Sequence, residues 1–101
     1  MNNYFLGPGV EFDLESIWDF IARDDVNAAD RWLSKLYDAF ELIARSPGIG
    51  HTRRDLTVHS VLFWPVDAYL IIYRVQVDLV EVVAVTQGSR DIPSFLRRQH
   101  S

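Results

Sequence analysis

The side chains able to hold charge or move protons fall into a few short groups. Arg53 and Arg54 stand together in "GHTRRDL", Arg74 sits at the edge of the apolar run "AYLIIYRV", Arg90 lies in "QGSRD", and Arg97 and Arg98 follow Phe95 and Leu96. Arginines of this kind suit contact with a phosphate or carboxylate partner. Each also has an ordinary structural use: Arg74 can pair with Glu81 on the next strand, Arg90 can pair with Asp91 in a turn, and the others can remain solvated. Proton-transfer candidates are fewer. Tyr69 and Tyr73 share one face of a predicted strand, where paired tyrosines suit sheet packing better than acid-base work. His51, His59 and His100 have no metal-ligand spacing and no carboxylate cluster to complete a site, so no metal is expected. The chain has no cysteine, which excludes thiolate nucleophiles, thiolate metal sites and disulfides. No glycine-rich phosphate loop and no serine nucleophile motif is present, and no cofactor is implied.

Positioning these groups requires a fold, and 101 residues suit a single domain over 1–101. "NYFL", Asn3 to Leu6, predicts a short first strand that "GPG" interrupts. Val10, Leu14, Ile17, Trp18 and Ile21 then fall on one stripe of a helix from about Val10 to Arg23, with Glu11, Asp13, Glu15 and Asp19 turned to solvent. Asp25 or Asn27 can cap a second helix, in which Ala29, Trp32, Leu33, Leu36, Phe40 and Ile43 keep helical spacing until "SPGIG". Val58 to Trp64, Tyr69 to Val75 and Leu79 to Thr86 read as three antiparallel strands with short links. The fold class is therefore α+β: a short N-terminal strand, a two-helix hairpin, and three antiparallel strands forming a small sheet packed on the helices. A short C-terminal helix or tail follows.

Charge restricts the partners. The net charge is -4. Residues 1–45 carry nine acidic and four basic side chains, and residues 46–101 carry five and six. A domain with that balance is not expected to bind nucleic acid directly with sequence specificity. No run approaches a membrane span and the N-terminus has no signal-peptide pattern, so a cytoplasmic protein that does not contact membranes is expected.

Several words, in order, carry a resemblance. "YFLGPGVEFDLESIWDFIA", "AADRWLSKLYDAFELIARSPGIGHTRRDL", "FWPVDAYLIIYRV" and "VEVVAVTQGSRDIP" together resemble the ParE branch of the ParE/RelE superfamily, the toxins of type II toxin-antitoxin modules. The chain departs from the pattern at Leu62, near which members often carry a basic residue, and at Gln87, where members often carry histidine. Leu62 removes a charge from the sheet, and Gln87 hydrogen-bonds without titrating.

The resemblance implies a toxin that inhibits DNA gyrase and is neutralised by a cognate antitoxin, ParD-like or another small DNA-binding protein. Arg53, Arg74, Arg90, Phe95, Arg97 and Arg98 are the residues expected to meet the target, and Trp18, Phe20 and Tyr37 those expected to anchor the antitoxin. On this reading no residue is catalytic. The alternative branch, a ribosome-dependent mRNA endoribonuclease of RelE type, would use Arg54, Arg74 and Tyr73 or His51. A third reading is a non-toxic member that only binds its antitoxin. The scarcity of acid-base groups, the acidity of the chain and its single lysine, Lys35, favour binding over RNA cleavage.

Overall fold

The computed structural model describes residues 3–53, 60–88 and 92. Strand β1 (Tyr4–Leu6) leads to helices α1 (Val10–Ala22) and α2 (Val26–Arg45), and a single 3-10 turn (Pro47–Ile49) follows. Strands β2 (Leu62–Val66), β3 (Tyr69–Gln76) and β4 (Leu79–Gln87) complete the order. The sheet runs β1-β4-β3-β2, with β1 parallel to β4 and the other neighbours antiparallel. The two strongest apolar runs thus occupy the two central strands, where both faces are covered.

Local chemistry explains the element ends. Gly9 precedes α1 at φ 87°, a conformation that glycine alone adopts without steric cost. Of the two capping candidates for α2 the structure uses Asp25, whose carboxylate accepts a 3.1 Å hydrogen bond from the Ala28 amide. Asp67 and Asp78 adopt positive φ in the two-residue hairpin links, which aspartate tolerates better than most residues.

The second strand differs from expectation. It spans Leu62–Val66 and contains Pro65, which the sequence reading placed in a link. Proline is tolerated there because β2 is an edge strand. The outer edge is further occupied by His51, which exchanges two 2.8 Å backbone hydrogen bonds with Phe63. Both devices block pairing with another strand.

Two apolar clusters sandwich the sheet. Val10, Leu14, Trp32, Leu36, Phe40 and Ile43 from the helices pack on Tyr69, Ile71, Tyr73, Val80, Val82 and Val85. The far face carries Val61, Phe63, Ile72, Val83, Ala84 and Ile92. Burying this much apolar surface is the main favourable term in folding. A bulge in β4 makes the arrangement possible. Ile72 pairs with Ala84 and Tyr73 with Val82, leaving Val83 as the extra residue, so Val83 and Ala84 both reach the far face. Beyond it the alternation changes phase, and Val85 returns to the helices.

Candidate functional site

Alternation along β3 sends neighbouring candidates to opposite faces. Tyr73 is fully buried on the helix side. Its hydroxyl donates to the Pro47 carbonyl at 2.6 Å and accepts from the Gly50 amide at 2.9 Å. The phenol therefore fastens the loop after α2 to the sheet. Burial raises the Tyr73 pKa above its ordinary 10.0, partly offset by the Gly50 hydrogen bond. Because the folded state holds this proton more tightly than the unfolded chain, its contribution to stability is complete below pH 10 and declines above it. Urea midpoints are expected to fall above about pH 10, less steeply in Tyr73→Phe. A midpoint flat through pH 11 in the parent chain would contradict this.

Arg74 lies on the far side of the sheet. Its Nε approaches Glu81 Oε1 at 3.1 Å, in direct cross-strand register, and Gln76 Nε2 donates to the same oxygen at 3.1 Å. The arginine side chain stays 38% exposed, against 15% for Glu81. The expected ion pair is present, and it leaves part of the guanidinium open to a partner.

The remaining arginine candidates divide. Arg53 is exposed and engaged in contacts of its own. Arg54, Arg90, Phe95, Arg97 and Arg98 lie outside the described residues. His51 stacks on Trp64, with ring centroids 6.2 Å apart and planes within 14°. Leu62 packs against the helix-side cluster, so its side chain serves the core. Among the described residues no group of histidines and carboxylates could hold a metal ion.

A second constellation forms on the helices. Trp18 and Tyr37 stand across a groove of about 320 Å³ between α1 and α2, lined also by Glu11, Leu14, Glu15 and Leu33. Trp18 Nε1 donates to Asp30 Oδ1 at 3.0 Å, which ties α1 to α2. Tyr37 is 39% exposed and meets Phe40 edge-on at 5.4 Å. Phe20 does not join them. It follows Trp18 by two residues, about 200° of helical arc, and stands 57% exposed away from the groove.

The acidic residues of α1 likewise separate. Asp13 and Glu15 were expected on one solvated face, but Asp13 turns toward the sheet and accepts from the Val85 amide at 3.4 Å. The cause is the short β1, which pairs with β4 only as far as Val82 and leaves the later edge of β4 to α1. Asp13 lines a depression of about 420 Å³ with Phe12, Ser16, Ile17 and the strand residues Val85, Thr86 and Gln87. Gln87 therefore sits beside α1, apart from Arg74.

Comparison with known proteins places this geometry. A family model described as the ParE toxin of type II toxin-antitoxin systems, parDE, matches residues 4–92. No curated protein matches by sequence. Among solved structures, a chain from the chromosomal ParDE toxin-antitoxin system of P. aeruginosa superposes with a TM-score of 0.71 at 12% identity. The match covers 86% of this chain and 96% of that one, and it is a likeness of fold. No helix among the described residues is long and apolar enough to cross a membrane.

Proposed function

The chain belongs to the ParE toxin family of type II toxin-antitoxin systems, and from that premise we propose that it acts by binding DNA gyrase and stalling it on cleaved DNA. Membership brings a cognate antitoxin as partner. We assign the target surface to Arg74 with Arg53, Arg90, Phe95, Arg97 and Arg98, and the antitoxin surface to the groove between Trp18 and Tyr37.

The observation that carries this reading is the opposition of Tyr73 and Arg74. Cleavage of RNA by its 2'-hydroxyl needs a proton acceptor, a proton donor and a cation gathered round one phosphate. Here the Tyr73 hydroxyl is buried with its proton already donated to Pro47, and Arg74 faces the other side of the sheet. These two do not converge on a common substrate, whereas a half-exposed arginine beside an apolar sheet face suits protein recognition.

The test is expression of the lone chain in a bacterial host, with growth, a DNA-damage reporter and total mRNA integrity followed together. Growth arrest with an induced damage response and intact mRNA is expected. Cleaved mRNA would assign the chain to the endoribonuclease branch, and unimpaired growth to a binding role alone. Replacing Arg74 and Arg90 together by alanine is expected to abolish the arrest while the protein still folds. Loss of the half-exposed Arg74–Glu81 pair costs only about 0–1 kcal/mol, and Gln76 keeps a donor on the carboxylate. Undiminished arrest in the double variant would remove both residues from the target surface.

A further inference from the structure

Arg74 and Glu81 cancel in charge but not in direction. The two are in register across β3 and β4, and Phe5 of β1 is in register with Glu81, so the three side chains form one row across the far face of the sheet. Glu81 is turned inward. Its Oε1 accepts from both Arg74 Nε and Gln76 Nε2, each at 3.1 Å, and its Oε2 lies 3.2 Å from where a Cβ on Gly7 would stand. The glutamate side chain is accordingly less than half as exposed as that of the arginine. Glu81 engages the guanidinium at Nε, which leaves the Nη edge to a further acceptor. Phe5 and Gln76, on either side of the pair, are both exposed.

Donors therefore face outward, and the carboxylate that balances them faces the sheet. A partner that meets this row has to bring the acceptor. The Nη edge of a guanidinium matches the two oxygens of a carboxylate. A phosphate offers similar oxygens, but Phe5, Glu81, Arg74 and Gln76 include one cation, and the net charge of -4 opposes the approach of a polyanion. Phe5 beside the arginine adds an apolar contact that suits a protein side chain better than a sugar-phosphate backbone. Resting on the reading of this chain as a toxin that binds a target protein, we propose that Arg74 takes a carboxylate of that target, an aspartate or glutamate next to an apolar side chain that packs on Phe5. Glu81 and Gln76 are positioning residues for this contact. They act through Arg74, by fixing the plane of its guanidinium before the target arrives.

The test titrates the full chain with two probes, a short capped peptide in which aspartates alternate with leucines and a short DNA duplex. Binding is read at the Arg74 Nε–Hε signal in nitrogen-edited NMR, assigned by its loss in Arg74→Lys. The peptide is expected to shift that signal and the duplex is not. Arg74→Lys keeps the charge but not the two-donor edge, and is expected to weaken the peptide at least roughly tenfold. Glu81→Gln gives the decisive sign. Removing a negative charge beside Arg74 strengthens the attraction for aspartates if charge alone matters, whereas loss of positioning weakens the peptide by roughly threefold or more. Gln76→Ala, at an exposed position, is expected to weaken it in the same direction and to a smaller extent, and it keeps the proposal testable if Glu81→Gln does not fold. A signal that the peptide leaves in place, a signal that the duplex shifts, or tighter peptide binding by either positioning variant would overturn the proposal. Growth arrest by the lone chain is followed separately: its absence refutes the toxin reading, while the titration still decides whether Arg74 takes a carboxylate.

Discussion

Gly50→Ala is expected to destabilise the protein by about 3 kcal/mol, roughly 12–24 °C in the unfolding midpoint for a domain of this size. The backbone is not the obstacle, since Gly50 has an ordinary extended conformation at φ -71° and ψ 170°. The obstacle is Tyr73. An added Cβ would meet the Tyr73 hydroxyl most closely of all, and would stand 2.8 Å from Cε1 and 2.9 Å from Cζ. The ring cannot retreat, because it is fully buried and its hydroxyl is held by Pro47. Relief must come from moving the loop, which breaks the Gly50 hydrogen bond as well. Tyr73→Phe removes the nearest of the clashing atoms but leaves the Pro47 carbonyl and Gly50 amide unpaired, at about 1–3 kcal/mol. The double variant is therefore expected to be less destabilised than the sum of the two singles. Thermal and urea unfolding of the four proteins checks this. Strict additivity, or a Gly50→Ala protein as stable as the parent, would show that the loop accommodates the methyl group freely.

Trp18→Ala combined with Tyr37→Ala is expected to weaken the cognate antitoxin's hold by at least about 100-fold, mostly through faster dissociation. These two rings are the large aromatic anchors that line the groove, and aromatic residues in such positions carry most of an interface's energy. Stability must be followed in parallel, because removing Trp18 also deletes its hydrogen bond to Asp30. Phe20→Ala provides the contrast. Although 57% exposed and only two residues from Trp18, it stands off the groove, and the antitoxin is expected to bind it within about threefold of the parent, as at near-neutral interface positions. Co-expression with the antitoxin gives the cellular counterpart: the double variant should escape neutralisation and Phe20→Ala should not. A loss for Phe20→Ala equal to that of the double variant would extend the antitoxin surface beyond the groove and around α1.

The helices were legible in the sequence because their apolar residues recur at intervals that only one periodicity explains. Val10, Leu14, Ile17, Trp18 and Ile21 all pack on the helix-side core, and Ala29, Trp32, Leu36, Phe40 and Ile43 are buried as their spacing requires. Strands β3 and β4 were legible by β-branched content to within one residue at their ends. The pairing of Arg74 with Glu81 was likewise within reach, since the hairpin link fixes the register. Long-range relations were not. Nothing in "NYFL" reveals that β1 lies parallel to β4, and that placement is what turns Asp13 from solvent to the β4 edge. The bulge at Val83 adds no unusual residue to mark it. The partners of the Tyr73 hydroxyl depend on a loop that returns from the end of α2, which periodicity cannot describe. The separation of Phe20 from Trp18 was available from helical arc alone.

Among the described residues strand β4 is the last strand to be synthesised, yet it pairs with both β1 and β3. While the ribosome is still producing the chain, β1 has no neighbour, and β3 has only the short edge strand β2. Contacts that span nearly the whole sequence cannot form until translation is almost complete, and closing them is the slow part of folding for such a topology. A product released before Leu79 lacks the strand that joins the two ends of the sheet. A chain interrupted before Leu79 is therefore unable to assemble the sheet that presents Arg74.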